Sequence, residues 1–213
     1  MATGTVAPMD AIWRCPRCTL PVARNEHGRW WCETDGDVAA LAAPVEPSVL
    51  ALLEHLQQVA APTWVPWPMP AQWSLAGVAW AADAEGEPQA TTTACVGPDV
   101  ISGTADLVIV CEEPAVGLGA RYADVPGLDI ATEVTGAPPA LHIQVAGRAT
   151  PLWWLGGQDR DVFVGEASGR WLWLITWPAT SGAIIREDLV LADLHDLVAQ
   201  LDMIPLSGAS LRL

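Results

Sequence analysis

Lysine is missing from this chain altogether. Its absence excludes the phosphate-gripping lysine of a P-loop, a Schiff base to pyridoxal phosphate and the phosphate lysine of a kinase. Phenylalanine and tyrosine occur once each against twelve tryptophans, so tryptophan has to supply nearly all the aromatic packing. No apolar run approaches the roughly 20 residues that span a bilayer, because Glu54, prolines and acidic turns interrupt them. The opening MATGTVAPMDAI has neither a basic stretch nor a continuous apolar one, so no secretory signal is read there. These features give a soluble, cytoplasmic reading. Catalytic signatures are equally scarce, with no G-x-S-x-G elbow and no H-E-x-x-H helix.

What is present is an acidic, half-apolar chain of 213 residues, long enough to bury a core. Ten arginines face twenty-five carboxylates, for a net charge of -15. Such a surface repels phosphodiester backbones and anionic lipid headgroups, which disfavours nucleic-acid and membrane binding by the bulk of the chain. The charge is unevenly spread. Arg14, Arg17, Arg24 and Arg29 fall between Trp13 and Trp31 with Glu26 as their one carboxylate, whereas the rest of the chain is strongly acidic.

The same basic stretch holds three of the five cysteines. Cys15 and Cys18 are separated by two residues, and after thirteen more comes Cys32-Glu-Thr-Asp35-Gly36. Two ligands with two residues between them let one tight turn aim both side chains at a single ion, and two such turns complete a tetrahedron. The pattern therefore predicts a small zinc ribbon with Cys15, Cys18, Cys32 and Asp35 as ligands and a structural zinc ion. His27 is the alternative fourth ligand, though it requires the intervening loop to fold back. Arginines interleaved with Trp13, Trp30 and Trp31 also fit nucleic-acid contacts, but three thiolates cancel part of their charge. Cys95 and Cys111 lie in apolar runs and read as buried thiols.

Beyond the ribbon, PSVLALLEHLQQVAAP predicts a helix with Val49, Leu52, Leu53, Leu56, Val59 and Ala60 on its buried face and His55 off it. Four prolines in PTWVPWPMPAQW favour polyproline geometry with Trp64, Trp67 and Trp73 along one edge. SLAGVAWAAD and QATTTACVG flank the turn AEGEP as a hairpin, TADLVIVCEE adds a third strand, and LHIQVAG, TPLWWLG, DVFVGEA and WLWLITWP supply four more. Short connections predict antiparallel neighbours. Trp171, Trp173 and Trp177 alternate with Leu172, Leu174 and Thr176, the pattern of a strand buried on both faces. REDLVLADLHDLVAQL places Val190, Leu194, Leu197 and Leu201 at helical spacing.

Candidate reactive groups are few. GLGAR, ending in Arg121, fits either an anion nest or a turn, and Glu112 and Glu113 just before it oppose a phosphate. His195 and Asp196 are neighbours that point apart on a helix, His142 has no evident partner, and Asp159 with Asp161 reads as a polar turn.

With CPRC, WWC, WVPWPMPAQW, AGVAW, GLGARYA, TPLWW and GEASGRWLWLITWPATSG in hand, the chain resembles a family of uncharacterised actinobacterial proteins with an N-terminal zinc ribbon. Some members of that family carry an automated phosphotransacetylase label. The resemblance implies that the second knuckle usually ends in His, so Asp35 is a departure.

The expectation is an α+β fold: a zinc-ribbon-like segment over 1–37; a linker, helix and Pro/Trp-rich extended segment over 38–71; and a mainly antiparallel β-sheet domain with a few packed helices over 72–213. The function expected is a non-enzymatic interaction or regulatory module with a protein partner. The alternatives are an acyl- or phosphoryl-transfer enzyme using Arg121 as anion anchor, and nucleic-acid binding through the ribbon.

Overall fold

The computed structural model describes residues 13–99, 101, 103–127, 130, 134 and 136–213. It is mainly antiparallel β-sheet with a few helices, and it carries the cysteine cluster near its N-terminal end. A small three-stranded sheet comes first, formed by β1 (Ala23–Arg24), β2 (Trp30–Cys32) and β3 (Gly36–Asp37), all antiparallel. Its first hairpin closes on Asn25, whose side-chain oxygen accepts from the backbone N–H groups of His27 and Arg29, both at 3.0 Å. An Asx turn of this kind fixes the chain reversal locally.

A ten-stranded sheet follows. Its strands in chain order are β4 (Ala40–Leu41), β5 (Trp64–Pro66), β6 (Ser74–Ala82), β7 (Pro88–Pro98), β8 (Thr104–Glu112), β9 (Leu141–Val145), β10 (Arg148–Trp154), β11 (Asp161–Ala167), β12 (Arg170–Trp177) and β13 (Val190–Asp193). Their spatial order is β4-β6-β7-β8-β12-β11-β10-β9-β13-β5. Every pairing is antiparallel except that of β13 with β9. The hairpins around the AEGEP turn and through β9 to β12 follow the expected antiparallel pattern.

The sheet curls so that its last strand lies over its middle. Thr93 on β7 donates its hydroxyl to the carbonyl of Trp64 on β5 at 2.8 Å, and Thr91 does the same to Pro62. Alternation along the strands feeds two cores. Leu107, Ile109, Leu172, Leu174, Leu191 and Trp64 pack inside the curl. Val108, Val110, Val164, Trp173, Ile175 and Trp177 pack on the other face, under the short helix α2 (Leu118–Ala123). The two-sided burial of β12 matches its alternating sequence.

Helix α1 (Val49–Gln58) starts at Ser48, whose hydroxyl accepts from the Ala51 N–H at 3.1 Å, a regular N-cap. Among the described residues no helix is long and apolar enough to cross a membrane.

Three local expectations are corrected. His55 is not on the solvated side of α1: it is 4% exposed, and its Nε2 is 3.0 Å from the Thr63 hydroxyl. Leu52, His55 and Val59 are buried, Leu53 and Leu56 partly so, and Val49 and Ala60, expected on the buried face, are exposed. The Pro/Trp segment is not free polyproline, since Trp64–Pro66 pairs with β13 as an edge strand, where proline is tolerated. Trp64 and Trp73 are buried and Trp67 is partly so. Finally, the expected C-terminal helix splits. Val190–Asp193 is a strand, and a 3₁₀ helix runs only from Leu194 to Met203. Asp193 ends the strand and caps the turn by accepting from the His195 N–H. Sheet pairing on both sides of β13 overrides the local helical spacing.

Candidate metal centre

The first knuckle is a turn closed by backbone bonds from the Thr19 N–H to the Cys15 carbonyl at 3.0 Å and from the Cys15 N–H to the Leu20 carbonyl at 2.8 Å. The second is the β2–β3 hairpin, with Cys32 paired to Gly36. Gly36 sits at a φ of 70°, a left-handed backbone that glycine adopts without strain. The two turns bring Cys15, Cys18, Cys32 and Asp35 together, each offering one donor atom, with all four atoms within 4.8 Å of one another. Cys15 and Cys32 are fully buried.

The spacing matches a four-coordinate ion. Tetrahedral thiolates at the usual zinc–sulfur distance lie about 3.8 Å apart. Cys18 Sγ and Cys32 Sγ are 3.4 Å apart, and Asp35 Oδ2 is 3.2 Å from Cys15 Sγ and 3.6 Å from Cys32 Sγ. These four residues therefore lie close enough to hold a metal ion.

The electrostatics agree. Burial pushes the Cys15 and Cys18 thiols above their ordinary pKa. Burial acts on Cys32 in the same direction, yet the backbone N–H groups of Asp35 and Thr34, together with the Cys18 and Cys15 thiols, outweigh it and hold that thiol below its ordinary value. The thiol of Cys18, followed by those of Cys15 and Cys32, keeps Asp35 ionised below the usual carboxylate range. A cation relieves the two raised thiols by replacing their protons. His27 stands apart, with an exposed side chain beside Glu26.

The ribbon is fastened to the large sheet. Arg17, inside the first knuckle, donates Nη2 to the Ala115 carbonyl at 2.6 Å and Nε to the Val116 carbonyl at 3.1 Å. Arg24 donates to the carbonyls of Gly28 and Ala84 and lies 4.0 Å over the Trp30 ring. The Trp30 indole N–H donates to the Asp83 carbonyl at 3.1 Å. Trp13 bridges the halves, 5.4 Å from Trp30 and edge-on to Trp80 at 5.8 Å. Arg29 pairs with Asp37, and Arg14 bonds the Thr19 carbonyl. All four ribbon arginines are thus engaged within the chain.

The remaining candidates disperse. GLGAR opens α2, and the nest at its start is filled by Glu112, which accepts from the backbone N–H groups of Leu118 at 2.7 Å and Gly119 at 3.1 Å. Burial raises the Glu112 carboxyl to about 7, against those two donors. His195 pairs with Asp193, not Asp196: Nδ1 is 2.8 Å from Asp193 Oδ1, and Nε2 is 2.9 Å from the Val59 carbonyl. With both ring nitrogens occupied, His195 clamps the 3₁₀ helix to the end of α1. The Asp193-x-His195 spacing was its signal in the sequence. His142 is exposed on β9, Asp159 pairs with Arg160, and Asp161 accepts from the Trp154 indole.

A family model described as "Family of unknown function (DUF6758)" matches residues 9–213. No curated protein and no solved structure matches the chain.

Proposed function

We propose that this chain, which belongs to the family of unknown function DUF6758, is a cytoplasmic zinc-binding interaction or regulatory protein that performs no chemistry of its own. The observation that carries the reading is the convergence of Cys15, Cys18, Cys32 and Asp35 on a knuckle whose middle residue, Arg17, grips the body. Three sulfur donors favour zinc over hard cations, and a four-donor set leaves no open position for a substrate, as in structural zinc sites.

On this reading the described part of the ribbon, residues 13–37, is a rigid platform mounted on the β-domain, whose sheet also takes in β4 and β5 from the segment expected as a linker. The platform presents Leu20 and Trp31, both about half exposed, as its contact surface. A protein partner fits better than a nucleic acid, because Arg14, Arg17, Arg24 and Arg29 are already bonded within the chain.

The test is amide hydrogen exchange on purified protein before and after chelation, paired with capture of partners by wild type, chelated protein and Trp31→Ala. Chelation is expected to raise exchange in the ribbon and in residues 114–116 together, and to abolish the capture that Trp31→Ala also abolishes. Exchange unchanged by chelation rejects the metal-held platform. Capture that survives both treatments rejects the contact surface.

A further inference from the structure

A cavity of about 310 Å³ opens between the ribbon and α2, walled by Arg17, Asp35, Gly117, Ala120 and Arg121 among others. Two of those residues are arginines, in a chain of net charge -15. Arg17 is fully engaged with the carbonyls of Ala115 and Val116 and faces Asp35. Arg121 is not. Its guanidinium carbon stacks 4.3 Å from the centre of the Tyr122 ring. Its Nε and Nη2 are shut off from water, with no hydrogen-bond partner among the described residues.

Those two nitrogens form one edge of the guanidinium, where two parallel N–H bonds match two oxygens of a carboxylate or phosphate. Arginine cannot relieve the situation by losing a proton, and dry donors on a charged group are far costlier than on a neutral one. Among the described residues, the nearby carboxylates are committed elsewhere. Asp35 converges on the thiols, Glu112 holds the start of α2, and Asp124 faces Arg160. No ion pair among the described residues includes Arg121.

We infer that this cavity is a binding site for a small oxyanion, a carboxylate or phosphate group, held by the Nε and Nη2 edge of Arg121 with the charge of Arg17 behind it. Both nitrogens are shut off from water in the unliganded chain, so taking the ligand requires that edge to turn into the cavity. That turn gives up the contact of Arg121 with the Tyr122 ring and hydroxyl. Gly117 and Ala120 leave room for the ligand, and the volume suits a small molecule rather than a polymer. The site goes beyond the interaction role proposed above, and it needs no catalytic group.

Full-length protein as purified is titrated with inorganic phosphate and, separately, with acetate at fixed ionic strength, following heat and Tm. The expected result is saturable one-site binding that raises Tm, with the preferred anion identifying the ligand class. Arg121→Gln is expected to abolish it. Arg121→Lys keeps the charge but loses the paired donors, and weakens binding about tenfold. If Arg121→Gln fails to fold, the lysine variant decides. Absence of saturable binding to wild type, or equal binding by the Arg121 variants, overturns the inference.

Discussion

The Arg17 guanidinium and the Ala115 carbonyl are 98 positions apart in sequence and meet at 2.6 Å. That bond ties the knuckle that gathers Cys15 and Cys18 to the loop that leads into α2. The cysteine cluster is thereby anchored to the body.

Removing the tie gives the first prediction. Arg17→Ala deletes donors to two carbonyls, and a hydrogen bond from a charged group contributes about 1.5 to 3 kcal/mol. The variant is expected to lose about 2 kcal/mol in urea unfolding while keeping its metal content. Its added hydrogen exchange is expected at residues 114–116 and within the ribbon. Loss of metal in Arg17→Ala would mean that docking and metal retention are not separate.

Two buried titrating groups give the second. Glu112 is raised from 4.5 to about 7 by burial, so its stabilising contribution is complete below pH 4.5 and fades as pH rises through 7. His55 is lowered from 6.5 to about 4, chiefly by burial and further by His195, so its contribution is complete above pH 6.5 and fades as pH falls through 4. Each shift corresponds to about 3 kcal/mol, and over pH 4.5 to 6.5 they oppose one another. Urea unfolding of the wild type is expected to vary little with pH in that window. Glu112→Gln leaves a stability that rises with pH, and His55→Gln leaves one that falls. Parallel profiles for the two variants would refute the assignment.

A third prediction concerns packing under α2. A Cβ on Gly119 would lie 2.2 Å from the Trp173 indole nitrogen, and Trp173 is 1% exposed on β12. Neither the helix nor the strand can retreat without opening the core. Gly119→Ala is expected to cost about 1 to 3 kcal/mol and to shift tryptophan emission. Gly208→Ala is the matched control, since a Cβ there meets nothing within 4 Å and its backbone is not left-handed. Equal stability of the Gly119 variant and wild type would contradict the close approach of α2.

Much of the architecture was legible because its signals are local. The cysteine spacing alone points three donors at one centre, and alternation along Trp171–Trp177 marks a strand buried on both faces. Turns such as AEGEP announce their own hairpins. What escaped depends on distant partners. β13 is a strand because β9 and β5 flank it, which its leucine spacing does not record. His55 is buried because Thr63 lies within hydrogen-bond reach of its ring. Arg17 read as one of a basic stretch suited to nucleic-acid contacts, and only the fold delivers the two carbonyls that accept from it. The candidate fourth ligand sits between these cases: Asp35 was favoured by position, and the hairpin geometry sets it close to the thiols while His27 lies exposed beside Glu26.

The measurement that bears most directly on the metal centre is zinc content per chain in purified wild type, Cys32→Ser, Asp35→Ala and His27→Ala. About one zinc per chain is expected in wild type and His27→Ala. The Cys32 variant is expected to hold none, and Asp35→Ala to hold zinc more weakly and lose it to a chelator first. A wild type without metal, or a metal lost with His27 and kept without Asp35, would contradict the account.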